Sequence, residues 1–161
     1  MSDNQRIANV ILDERTVVRR SAQIEHERQV AIYDLVDENT FRPLGGPLGG
    51  LDGPYNLHLS IEENRLVFDV QDLTDRPLTR FTLPLGAFRK LVKDYFVVCE
   101  SYYSAIKTAS PSKIEAIDMG RRSLHGEGGD RLIKSLKDKV DLDVDTARRL
   151  FTLICVLHIR A

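Results

Sequence analysis

Between Glu115 and Asp130 the chain reads EAIDMGRRSLHGEGGD. At helical spacing Glu115, Asp118, Arg122 and His125 fall on one face, which gathers two carboxylates, a guanidinium fork and an imidazole. The stretch Gly126–Gly129 follows. It predicts that one helix ends near His125 and that a short one, capped by Asp130, runs to about Lys137. Free amides and the dipole at such a helix start hold anions, and glycine lets the backbone come close. Arg121 and Arg122 add bidentate contacts to phosphate or carboxylate. The candidate ligand residues are therefore Glu115, Asp118, Arg121, Arg122, His125, Gly128 and Gly129, and the ligand class is a small anion. Blander chemistry competes with this. Asp118 and Arg122 are four apart, an ordinary helix-surface pair of about 0.2–0.5 kcal/mol. No Lys-Ser/Thr follows the glycines, so this is not a P-loop. Glu127 and Asp130 would repel an anion at that helix start.

Arg121 shares its helical phase with Ile114, Ile117 and Leu124, on the apolar stripe. A buried arginine needs a carboxylate, and the expected partners are Glu100 or the aspartates around Val140. A structural ion pair is the reading preferred over a functional one. The histidines His26, His58, His125 and His158 form no HxH, HxxxH or HExxH spacing, so no metal is expected. His58 lies on the polar side of a strand and reads as solvated. Cys99 and Cys155 sit in apolar, helix-like settings outside any CxxC pair. They read as buried free thiols in a reducing compartment. No nucleophile-elbow motif is present. With no complete catalytic constellation, the reading leans away from an enzyme, and no cofactor is expected.

The elements that must position these groups follow from periodicity. Ile7–Leu12 predicts a first strand. Ser21 predicts a helix cap, with Ile24, Ala31, Ile32, Leu35 and Val36 on the buried face of a helix reaching about Glu38. Phe41 to Pro54, with Leu44-Gly45-Gly46-Pro47-Leu48-Gly49-Gly50 inside it, is expected to be a loop, the Gly/Pro-rich part spanning 42–54. Tyr55–Ile61, Leu66–Val70 and Leu78–Leu83 alternate with period two. Their short connections, the first a turn at Glu62-Glu63-Asn64, imply an antiparallel meander. In the second half, Phe88, Val92, Tyr95, Cys99, Tyr102 and Ile106 recur every three or four residues, widened by Phe96, Val98 and Tyr103. That helix is expected to be the central one. Its aromatics read as core, and the stripe also permits self-association. Ser110-Pro111 starts the next helix. Val140–Val144 reads as extended or irregular. Asp143 or Asp145 caps a last helix with Ala147, Leu150, Phe151, Ile154 and Leu157 inward.

The chain has 161 residues, 23 basic and 24 acidic side chains and a formal charge of −1. That length predicts one domain over 1–161, with 1–5 flexible. The balanced charge gives no reason to expect nucleic acid. The cluster Arg15, Arg19 and Arg20 is interspersed with Glu14, Glu25 and Glu27 and reads as solvated surface. Met1 to Arg6 is polar and lacks an apolar signal core. Nothing reaches the roughly 18 apolar residues of a membrane span, and the most apolar run, Leu150 to Ile159, is short and contains His158.

The blocks NRLVFD (Asn64–Asp69), KDYF (Lys93–Phe96), CESYY (Cys99–Tyr103), IEAIDMGRR (Ile114–Arg122) and DTARRLFTL (Asp145–Leu153) lie in order along nearly the whole chain. They resemble an uncharacterised family of conserved hypothetical proteins of alphaproteobacteria. The Leu44–Gly50 stretch is longer than that family's pattern. The resemblance implies a cytoplasmic, single-domain bacterial protein, and carries no activity, cofactor or site residue with it. The fold class expected is α+β: an N-terminal strand and helix, a three-stranded antiparallel meander, then a mostly helical half packed on the sheet. The function expected is a non-catalytic binding or regulatory protein with an unidentified protein partner or a second copy. The alternative is an anion sensor or enzyme at helix 111–125 and the glycines 126–129.

Overall fold

The structure is a computed structural model that describes residues 4–14, 21–44 and 52–158. The Arg15, Arg19 and Arg20 cluster and most of the Leu44–Gly50 stretch lie outside the described residues, as do the first three residues of the 1–5 segment expected to be flexible. Gln5 is tied down, its carbonyl accepting from Phe41 N at 2.8 Å.

The architecture is α+β. β1 (Ile7–Leu12) is followed by α1 (Ala22–Asp37), capped by the Ser21 hydroxyl. The chain then forms β2 (Phe41–Pro43), β3 (Tyr55–Glu62), β4 (Arg65–Gln71) and β5 (Pro77–Pro84). A 3₁₀ turn, Leu85–Phe88, leads into α2 (Arg89–Thr108). α3 (Pro111–Ser135), β6 (Val140–Leu142) and α4 (Val144–Leu157) complete the chain. β3, β4 and β5 form the expected antiparallel meander, and β1 joins it parallel to β3, giving the order β1-β3-β4-β5. Glu63 and Asn64 both take positive φ, 51° and 62°, as a two-residue turn between antiparallel strands requires.

Alternation puts Tyr55, Leu57 and Leu59 of β3 and Leu66, Phe68 and Val70 of β4 into one core with the helices. The helix at the centre of that core is α4, not α2. Every residue from Leu150 to Leu157 is buried, as expected of a helix packed on all sides. α2 is half-wet: Ile106, predicted on its inner stripe, is 46% exposed. Phe41–Pro43, expected to be loop, instead pairs antiparallel with β6 in a two-stranded ribbon. Two side chains tie the end of α1 in place, one to β1 and one to α4. The Asn39 side chain accepts from Ile7 N at 2.7 Å and donates to the Ile7 and Leu35 carbonyls. Arg149 donates to the Asp34 and Glu38 carbonyls, a cation closing the C-terminus of α1.

The main correction concerns the glycines. α3 does not end at His125. It runs unbroken through Gly126, Gly128 and Gly129 to Ser135, so no separate Asp130-capped helix exists. These glycines are where α4 comes closest. A Cβ on Gly128 would lie 2.5 Å from the Phe151 ring, and one on Gly129 would lie 3.1 Å from Arg148 N. The stretch is a contact surface between two helices.

Candidate functional site

The correction removes half of the expected anion site. Amides in the middle of an α-helix already donate to carbonyls four residues back, so those of Gly128 and Gly129 are not available to a ligand. Glu115 is exposed to solvent and does not line the cleft. Asp118, Arg121, Arg122 and His125 do come together, and the structure adds groups from two further helices.

The hub is Glu27, only 10% exposed, at the α1–α3 contact. It receives the Tyr103 hydroxyl at 2.7 Å and the Tyr95 hydroxyl at 3.5 Å, and pairs with Arg121 NH1 at 3.4 Å. Arg121 therefore forms the structural ion pair expected of it, though with Glu27 instead of Glu100 or an aspartate near Val140. Its Nε and NH2 also donate to Asp118 Oδ1 at 3.1 and 2.7 Å, and its Cζ lies 4.3 Å over the Tyr102 ring. Arg122, 75% exposed, holds the other Asp118 oxygen at 2.6 Å. The hydrogen bond from Arg121, with the charges of both arginines, holds the Asp118 carboxyl below its usual range. Glu27 was legible in principle. It lies three residues after Ile24 and four before Ala31, on the buried stripe of α1.

Above this network α1, α3 and α4 enclose a cleft of about 200 Å³. α1 contributes Glu27, Val30, Ala31 and Asp34. α3 contributes Arg121, Arg122 and His125, and α4 contributes Arg148, Arg149 and Thr152. Four guanidinium groups thus face two carboxylates, which leaves the lining net positive. Arg121 and Arg149 are committed to protein partners. The Arg148 guanidinium makes no hydrogen bond or ion pair among the described residues, while its backbone carbonyl accepts from Thr152. Sequence reasoning missed Arg148 because only the α3–α4 approach at Gly126 and Gly129 brings it beside His125. A Cβ on Gly126 would lie 3.2 Å from the Arg148 NH2.

His125 forms the inner wall, its ring 5.5 Å from Tyr95 and 6.4 Å from Phe151. Its Nε2 is buried without a hydrogen-bond partner among the described residues. Burial, reinforced by Arg121, lowers its pKa, so the neutral ring is favoured. His58, expected to be solvated on its strand, also has a buried Nε2 without a partner among the described residues. Behind the wall, Cys99 and Cys155 are buried free thiols. Burial pushes the Cys99 thiol up to about 11, and it pushes the Tyr95 hydroxyl and the Cys155 thiol well upward too. Among the described residues no cluster of His, Cys, Asp and Glu could hold a metal ion, and no helix is long and apolar enough to cross a membrane.

The blocks that carry the family resemblance supply part of this site: Asp118, Arg121 and Arg122 come from one and Arg148 and Arg149 from another, while Glu27 and His125 lie outside them. Comparison with known proteins agrees. A UPF0262 protein of Paramagnetospirillum magneticum is 54% identical over 99% of this chain and 99% of its own length. One of Rhodospirillum rubrum is 54% identical over 99% of this chain and 96% of its own. One of Erythrobacter litoralis is 52% identical over 96% of this chain and 97% of its own. No solved structure matches the chain. The pattern of the uncharacterised protein family UPF0262 matches residues 4–160, and the chain belongs to that family.

Proposed function

We propose that the protein is a non-catalytic binding protein whose α1–α3–α4 cleft holds a small anion, a phosphate or a carboxylate. The observation that carries this reading is the gathering of four guanidinium groups against two carboxylates on one concave wall, with the Arg148 guanidinium exposed and free of a protein partner among the described residues. The net positive lining raises the local concentration of anions in the cleft. Arg148 can then close on the anion with one or two charge-assisted hydrogen bonds, and Arg122 can reach it from the rim. A volume of about 200 Å³ suits a ligand of few atoms.

Binding is favoured over catalysis by the state of the reactive groups. The thiols and Tyr95 are held protonated by burial, and the carboxylates nearest His125 already accept from arginine or tyrosine.

The test is thermal melting with inorganic phosphate, sulfate, acetate and small dicarboxylates, comparing the wild type with Arg148→Gln. Lys134→Gln serves as a surface control. At least one anion is expected to raise the wild-type and control melting temperatures by several degrees and to leave Arg148→Gln unmoved. Equal shifts in all three proteins, or none in any, overturn the reading.

A further inference from the structure

We propose that the outer groove between α2 and α3 is a homodimer interface, in which α3 crosses its copy antiparallel about a two-fold axis at Gly120. Gly120 lies in the interior of α3, and a Cβ there would meet nothing within 4 Å. Unlike Gly128 and Gly129, it has no close neighbour in its own chain to explain it. A glycine in a helix interior costs about 1 kcal/mol relative to alanine. A second backbone approaching at this point makes use of the missing side chain.

The surroundings fit a partner helix. Gly120 floors a groove of about 330 Å³ walled by Val97, Val98 and Leu124. Val97, in that groove, is 56% exposed, and Met119, next to Gly120 in sequence, is 62% exposed. α3 has 25 residues, about 37 Å of helix, which is ample length for a stable contact.

Charge selects the occupant and its direction. Lys113 and Glu127 stand seven residues before and after Gly120, and two helical turns return both to nearly the same face. Both are exposed, and neither enters an ion pair among the described residues. A two-fold axis at Gly120 sets Lys113 of each copy against Glu127 of the other, so the surface is complementary to itself. Parallel crossing would set like charges against each other and is disfavoured. In that register Ala116 stands opposite Leu124 and Ser123 opposite Ile117, so each pairing has one small member. The groove lies on the α2 side of α3 and the anion cleft on the α1 and α4 side, so either proposal can fail without the other.

Sedimentation velocity on the full chain over a range of concentrations tests this. The wild type is expected to dimerise. Lys113→Glu and Glu127→Lys should each weaken the dimer by about tenfold or more, and the double exchange should restore it. Both sites are solvent-exposed, so circular dichroism should show intact helices in every variant. Gly120→Cys, on the axis, should form an intermolecular disulfide on mild oxidation. A wild type that stays monomeric at all concentrations overturns the proposal. So does a dimer indifferent to the single reversals.

Discussion

At the scale of single residues, the account turns on Glu27 and His125. Glu27 is nearly buried and accepts from two tyrosines and an arginine. Glu27→Gln keeps the shape, removes the charge and leaves Arg121 with Asp118 alone. It should lower stability by about 1–3 kcal/mol. A urea midpoint shifted down at unchanged slope is the expected result, and a midpoint within error of wild type would show that the network is not structural. His125 makes a prediction in pH. Its folded pKa lies below the ordinary 6.5, so on acidification the unfolded chain takes up the proton first. Stability tied to the neutral ring is therefore full above about pH 6.5 and is lost as pH falls through the window below it. In anion-poor buffer the wild type should lose stability relative to His125→Gln as pH falls below 6.5. A difference that does not change with pH would contradict the burial assigned to the ring.

At the scale of elements, the informative failure is α3. Glycine's weak helix propensity is a local property, and by that measure Gly126–Gly129 reads as a break. The reason for the glycines is tertiary: Phe151 and Arg148 lie against them, contributed by a helix about twenty residues further on. Gly128→Ala raises helix propensity yet puts a Cβ into the Phe151 ring. It should destabilise the fold by about 1–3 kcal/mol, with a lowered melting temperature as the readout. If Gly128→Ala instead stabilises, the close α3–α4 approach is wrong. Asn39 is a second device that the sequence conceals, because one amide side chain serves both a strand and a helix end. Asn39→Ala should cost about 2–3 kcal/mol, from three lost hydrogen bonds and two backbone groups of Ile7 left bare. Chemical denaturation measures it, and a cost below about 0.5 kcal/mol would contradict the bonding described. Caps and alternation needed no such long-range knowledge. Ser21, Ser110, Asp143 and the Glu63-Asn64 turn act within a few residues of themselves, and each occurs where its chemistry places it.

At the scale of the whole molecule, local patterning produced the α+β layout, while its centre and its site depended on contacts distant in sequence. α4 takes the centre because α1, α2 and α3 all pack against it, contacts that its own sequence does not record. β2 was read as loop because its pairing partner, β6, lies about a hundred residues away. Of the predicted ligand residues, Asp118, Arg121, Arg122 and His125 converge because one helix carries them all. Glu27 and Arg148 complete the site from other helices; the stripe of α1 marks Glu27 as a buried charge, but neither helix alone shows which residues it meets. The central claim is that this three-helix cleft binds an anion. Its most direct test is a titration of isotope-labelled protein with phosphate, sulfate and small carboxylates, followed by backbone amide resonances. The account predicts saturable shifts confined to residues 27–34, 121–126 and 148–152, abolished in Arg148→Gln. No perturbation of these segments by any of the anions at millimolar concentration, or shifts centred elsewhere on the molecule, would contradict it.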